Sequence, residues 1–261
     1  MNFRDAGLRG IPISELQDIE VADVHAHMGH WYSFPIPYND IDGIMHVMNR
    51  VGVRWACISA CCSLGSDFRT GNDLVAEAMH RYPNRIIAYA TLNPNYHDGV
   101  AIELDRCERM GFRAIKLHSI HGCRYNDERY QPAFEIANAK EYPVLLHTWG
   151  DARDVERLAK RYPHVRFILA HAGVVNFDAY VQVAKACDNV WLDTALSISG
   201  RDWIRIFVER VSAEKIVFGS DIPFISLEYH IGKVLMSRIS DEDKEKILSR
   251  NFKFIFAKLL P

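Results

Sequence analysis

No run of about 18 apolar residues occurs in the chain, so no segment of it reads as a membrane-spanning helix. The opening stretch, MNFRDAGLRGIPISELQDIE, lacks the apolar core of a secretory signal, and the expectation is a cytoplasmic protein that stays off membranes. The six cysteines (57, 61, 62, 107, 123 and 187) form no CxxC pair and are too sparse for a disulfide framework. They read as small thiols in a reducing compartment. An excess of one charge is also missing: the net charge is −2 and the basic residues are scattered, which leaves no electrostatic footprint for nucleic acid. There is no low-complexity tract, no Pro/Gly/Ser-rich linker and no break in composition. Residues 1–261 are therefore expected to form one domain. With 49% hydrophobic and 25% charged residues, a chain of 261 residues can bury a large core without disulfides or structural metals.

What is present is an alternation. Short apolar runs occur at Val21 to His27, Trp55 to Ala60, Ile86 to Leu92, Ala114 to His118, Val144 to His147, Arg166 to His171, Val190 to Asp193 and Ile216 to Ser220. Runs of this kind suit strands buried on both faces of a parallel sheet. Between them lie helical patterns: Ile41–Val51, Asn72–Tyr82, Gly99–Met110, Arg129–Glu141, Asp151–Tyr162, Phe177–Cys187 and Arg201–Val211. A segment at Ser226–Arg238 and a terminal helix at Asp241–Lys258 follow the eighth run. Asn72, Asp98, Asp151 and Ser240 are the expected N-caps. Eight strand–helix units in this length predict an α/β fold, a closed (β/α)8 TIM barrel with an additional C-terminal helix.

The polar residues sharpen that reading. Of twelve histidines, His25, His27, His118, His147 and His171 fall at or near the C-terminal ends of predicted strands, and Asp221 follows the eighth. Barrel enzymes build their active sites at that end. His25 and His27 are alternate strand residues on one face, with Cα atoms ~7 Å apart, close enough for both imidazoles to meet one ion. Taken by itself, such a pair is equally well read as two buried histidines bonded to backbone. His147, His171 and Asp221 each end an otherwise apolar run, where a polar group without a partner costs several kcal/mol. Together they point to a divalent metal site at one end of the barrel.

The segments DVHAH, PVLLHTW, FILAHAG and KIVFGSDIP resemble the strand 1, 5, 6 and 8 signatures of the amidohydrolase superfamily, over Val21 to Pro223. The amidohydrolase 2 branch, which includes metal-dependent hydrolases and aromatic or unsaturated-acid decarboxylases, is the nearest match. The resemblance implies that His25, His27, His147 and Asp221 are metal ligands. It makes His171 either a group that binds water or substrate or a ligand of a second metal. On strand four, IKLH resembles the binuclear pattern, in which a carbamylated lysine, here Lys116, bridges two ions. The other readings of Lys116 are an ammonium paired with a barrel carboxylate and an exterior residue snorkelling past a helix. Zinc is the expected ion, one per site or two, with Mn, Fe and Co also suited to these ligands.

His118, Trp149 and Arg124 are candidates to contact substrate. The competing readings are packing for Trp149 and a solvated loop cation for Arg124. Trp31, Tyr32 and Phe34 form an aromatic loop after the first strand, either a substrate wall or a contact in a homo-oligomer. The expected activity is hydrolysis of an ester, lactone or amide bond in a small acidic or aromatic molecule. Metal-activated water would attack, Asp221 would act as general base, and His171 would orient the water or polarise the carbonyl. The alternatives are a non-oxidative decarboxylase or hydratase on the same site, and a non-catalytic metal-binding barrel.

Overall fold

The eight apolar runs form eight parallel strands that pair in chain order. The computed structural model describes residues 20–148, 150–171, 176–195 and 202–260. The strands are β1 (Val21–Met28), β2 (Val53–Ala60), β3 (Ile86–Thr91), β4 (Ala114–Leu117), β5 (Pro143–His147), β6 (Arg166–Ala170), β7 (Val190–Asp193) and β8 (Ile216–Val217). Each is followed by a helix: α1 (Ile41–Val51), α2 (Phe68–Arg81), α3 (Ala101–Arg109), α4 (Gln131–Lys140), α5 (Ala152–Arg161), α6 (Phe177–Ala186), α7 (Trp203–Val211) and α8 (Leu227–Leu235). The segment after β8 returns to β1. Val24 N donates to Phe218 O at 3.0 Å, Asp221 N to His25 O at 2.7 Å and His27 N to Ile222 O at 2.6 Å. These bonds close the predicted barrel.

Local chemistry explains several helix ends. Asp40 caps α1 by accepting from Gly43 N at 2.7 Å, and Gly52 ends it at φ 75°, a conformation that favours glycine. Asp151 and Ser240 accept from Arg153 N and Asp243 N, as predicted. Asn72 is not a cap. It lies buried inside α2, where its amide bonds Thr91 O, Thr91 N and the Glu103 carboxylate across to β3 and α3. Asparagine is favoured both at caps and wherever a side chain must satisfy nearby backbone, so the residue type did not separate the two. Asp98 is not the cap either: that position falls to Val100, and the Asp98 carboxylate pairs with Arg69. The terminal helix is not one piece. It runs as α9 (Asp241–Glu245), a π-helical turn at Lys246–Arg250 and α10 (Asn251–Ile255). Inside the π turn, the Ile247 carbonyl accepts from Phe218 N at 2.9 Å, tying the C-terminus to the strand-eight segment.

Alternation along the strands sends Trp55, Cys57, Tyr89, Ala114, Leu145, Ile168, Trp191 and Val217 to the floor of the barrel interior. Two residues further on, the same faces carry Ser59, Lys116, His147 and Asp193 toward the C-terminal end. β1 reaches this level differently. Ala22 and Val24 belong to the floor cluster, so simple alternation would turn His25 outward. Three steps of β1 pass two of β2 between Asp23 (opposite Ala56) and Ala26 (opposite Ile58). This bulge resets the phase of the strand, and His25 and His27 follow Val24 into the interior.

Candidate metal centre

Three side chains converge above the barrel floor. His25 Nε2 and His27 Nε2 are 3.3 Å apart, and Asp221 Oδ1 lies 3.6 Å from the first and 3.3 Å from the second. Donor atoms at these separations can share one ion at bond lengths of about 2.0–2.2 Å. Burial holds both imidazoles below their ordinary range and the positive charge of Lys116 adds to the effect, with Asp221 opposing it at His27, which favours the neutral rings that carry a lone pair. Burial alone would raise the Asp221 carboxyl. The neighbouring His27, hydrogen-bonded to it, together with His171 and Lys116, outweighs burial and brings it below the usual carboxylate range. Acceptors that face one another in a buried site are stabilised by positive charge among them. The donor set therefore fits a divalent ion.

Asp221 reaches the triangle through an unusual backbone. Its φ is 64°, in the left-handed region, and its N–H is held by His25 O at 2.7 Å. The preceding Ser220 is tied to β1: Asp23 Oδ1 accepts from Ser220 N at 3.0 Å, and Asp23 Oδ2 accepts from the Ser220 hydroxyl.

The remaining predicted residues sit around this triangle in different ways. His147 stands a step away, its ring 4.7 Å from that of His171 and 4.0 Å from that of His118, with Nδ1 3.1 Å from Ser119 Oγ. The His171 ring is 5.0 Å from that of His25, on a backbone with φ 59°. Burial draws its pKa down to about 4, with Asp221 opposing and Lys116 adding to the shift. His118 also borders the site through His147, while its Nδ1 accepts from Ile120 N at 3.0 Å.

Lys116 is fully buried inside the barrel, which removes the exterior reading, and its Nζ lies 3.1 Å from His25 Nε2. Burial pulls it down to about 8, against the charges of Asp221 and Asp193. Arg124 is committed elsewhere. Its Nε and Nη2 each bond a carboxylate oxygen of Asp154 at 2.8 Å, which occupies the fork expected to receive a substrate carboxylate. Trp149 lies outside the described residues.

The sequence reading missed several supporting groups. Asp193 Oδ2 is 2.7 Å from His25 Nδ1, and Ser59 Oγ is 2.9 Å from His27 Nδ1. For Asp193 the signal was available, because it ends the apolar run Val-Trp-Leu as His147 ends its own. Ser59 carried none, since a serine after an apolar strand is ordinary. Phe224 was missed as well. Its ring stands edge-on to His27 at 5.4 Å and is packed in turn by Trp31 at 5.3 Å and Phe34 at 6.3 Å. The aromatic loop thus reaches the triangle through a residue three positions after Asp221.

A sequence profile described as Amidohydrolase matches residues 22–251. The chain belongs to the amidohydrolase family. It is 22% identical over 237 residues to a gamma-resorcylate decarboxylase of a Polaromonas species, covering 69% of this chain and 72% of the relative. Among solved structures, a 2,6-dihydroxybenzoate decarboxylase from Rhizobium superposes with TM-score 0.72 at 18% identity, covering 92% of this chain and 99% of the other. A 5-carboxyvanillate decarboxylase from Novosphingobium aromaticivorans, complexed with manganese and 4-hydroxy-3-methoxy-5-nitrobenzoic acid, gives 0.74 at 14% identity, covering 92% and 97%. At these identities the likeness to solved structures establishes the barrel fold. The chain is an enzyme of the amidohydrolase superfamily. The expectation that it hydrolyses an ester, lactone or amide is corrected by these relatives, whose named activity is decarboxylation. The same ligand set serves both reactions, and the strand motifs therefore did not separate them. Among the described residues no helix is long and apolar enough to cross a membrane.

Proposed function

We propose that this chain is a metal-dependent, non-oxidative decarboxylase of a small aromatic carboxylic acid. The observation that carries the reading is the triangle of His25 Nε2, His27 Nε2 and Asp221 Oδ1, with sides of 3.3–3.6 Å at the C-terminal end of the barrel. Its support is that relatives of this family member are named as decarboxylases of gamma-resorcylate, 2,6-dihydroxybenzoate and 5-carboxyvanillate. His25, His27 and Asp221 would hold the ion, with His147 beside them. When bound, a divalent ion supplies positive charge for the substrate carboxylate and an adjacent oxygen. Manganese is the ion we assign in place of zinc, because it is the one named with the 5-carboxyvanillate relative.

The chain's own groups would do the rest. Asp221 turns Oδ1 toward the two imidazoles; ionised at rest, it takes up a proton from water when the acid binds, and Oδ2 is the atom we assign to passing that proton on. That proton adds to the ring carbon bearing the carboxylate. The carbon–carbon bond then breaks, its electron pair returns to the ring and CO2 leaves, so one hydrogen replaces one carboxylate. His171 and His118 flank the cluster and orient the acid. Phe224, braced by Trp31 and Phe34, offers an edge-on aromatic wall beside His27 suited to a planar ring. The six free thiols suit a cytoplasmic setting, which we retain as our assignment.

The test is to load the purified chain with Mn, Zn, Co or Fe and supply a panel of hydroxylated benzoic acids, following CO2 and the product by mass spectrometry. Expected is CO2 release without net addition of water, at one metal ion per chain. A metal-loaded enzyme that releases no CO2 from any of these acids would overturn the reading. A ratio of two ions that falls to one in Lys116→Met would replace the single ion with a carbamate-bridged pair.

A further inference from the structure

The β7 carboxylate that the sequence reading passed over does two things at once. Asp193 is fully buried. Its Oδ1 accepts from His171 N at 2.7 Å and from Ala195 N at 3.1 Å. Two backbone donors on one oxygen fix how the carboxylate is turned, and that leaves Oδ2 for the imidazole of His25, 2.7 Å from Nδ1. Burial raises the Asp193 carboxyl, against the N–H of His171 and the charge of Lys116. Both backbone donors sit on Oδ1, and Lys116 Nζ stands 3.1 Å from His25 Nε2 as a donor to that nitrogen. With Asp193 as the ionised acceptor, His25 carries its hydrogen on Nδ1 and keeps the lone pair on Nε2, the atom in the donor triangle.

The surroundings are built around this pair. A Cβ on Gly219 would stand 2.9 Å from His25 Cβ, 3.1 Å from Asp193 Oδ2 and 3.3 Å from Asp193 Cβ. Only glycine lets the strand-eight backbone close over the contact. Thr194, next to Asp193, pins that glycine through Oγ1, which lies 3.1 Å from both Gly219 O and Gly219 N. On the other side, His171 holds a left-handed φ of 59°, which a non-glycine residue adopts only when its neighbours enforce it, and Asp193 binds its N–H.

We propose that Asp193 is the positioning residue of the centre. It selects the ring nitrogen that His25 turns to the ion and holds the backbone turn that places His171. The inference rests on the metal-centre reading of His25 and concerns a residue outside the ligand set. Outer partners of ligating histidines orient the ring and set its tautomer, and their loss costs roughly 10–100-fold in metal affinity.

The test compares Asp193→Asn with Asp193→Ala. In the asparagine variant the amide oxygen still serves His171 N and Ala195 N, so the NH2 group must face His25 Nδ1. That donor forces the ring hydrogen onto Nε2, where it blocks ligation. The alanine variant loses both functions. Nitrogen-15 NMR of histidine-labelled, metal-free protein should show His25 as the Nδ1–H form in the wild type and the Nε2–H form in Asp193→Asn. Mn affinity by equilibrium dialysis should fall at least tenfold in the asparagine variant. The His171 amide should stay protected from hydrogen exchange with Asn at 193 and lose protection with Ala. An Nε2–H form in the wild type would overturn the proposal without any variant having to fold, and wild-type Mn affinity in a folded Asp193→Asn would overturn it too. A wild type that binds no divalent ion yet shows His25 as Nδ1–H would remove the metal reading and support the orienting role.

Discussion

Asp23→Asn isolates one buried proton at the seam where the barrel closes. Asp23 is 1% exposed; Oδ1 accepts from His25 N at 2.9 Å and Ser220 N at 3.0 Å, and Oδ2 from the Ser220 hydroxyl. Burial outweighs these bonds and pushes the carboxyl from 3.8 up to about 7. Between those two values the folded chain keeps a proton that the unfolded chain has lost. The group's contribution to stability is fully present below about pH 4, declines as the pH rises and is gone above about pH 7. At about 1.4 kcal/mol per pH unit, the wild type loses roughly 2–3 kcal/mol from this group between pH 5 and pH 8. Asparagine has no proton to lose. Its oxygen can accept both backbone N–H groups, and its NH2 can donate to Ser220 Oγ. The stability difference between the two proteins should therefore move by that amount in favour of Asn across this range. Urea denaturation of the metal-free proteins at several pH values measures it through the midpoint and slope. Parallel pH profiles would refute the argument, as would an asparagine variant several kcal/mol less stable than wild type at pH 8. Asp23→Ala, which strands three buried donors at about 1–3 kcal/mol each, should cost about 3–9 kcal/mol at pH 5.

Other predictions follow from the same geometry. Asp221→Asn should retain metal, measured by mass spectrometry of the bound ion, while CO2 release falls by roughly 10²–10⁴, the usual worth of a positioned proton donor. Arg124→Ala should leave KM within about twofold, because the guanidinium is held by Asp154. It should lower the thermal midpoint as Asp154 loses both bonds, and a large rise in KM would return Arg124 to the substrate site. Saturating Mn at ~100 times its Kd should stabilise the fold by about 2.7 kcal/mol, a rise of roughly 5–10 °C in Tm that a chelator reverses. An unchanged midpoint by calorimetry would count against a preformed metal site.

The eight strands were legible because a strand buried on both faces must be almost wholly apolar, and few residues other than site groups can end such a run. His147, His171 and Asp221 were visible for that reason, and Asp193 should have been. The reaction was not legible, because hydrolysis and decarboxylation ask for the same ligands, and the difference lies in what the loops admit. Asn72 and the π turn at Lys246–Arg250 were misread because each answers to a partner distant in sequence, Thr91 and Glu103 for one and Phe218 for the other.

The amino-acid sequence by itself determined the period of the elements, the barrel count and the chemical types gathered at one end, since those depend on local pattern. Tertiary structure decided which atoms face which. A one-residue bulge between Asp23 and Ala26 turned His25 inward. Barrel closure brought Asp221 against β1 across nearly 200 residues, and Asp154 claimed the fork of Arg124. Side-chain direction and pairing depend on register and closure, and those are properties of the whole sheet rather than of any one strand.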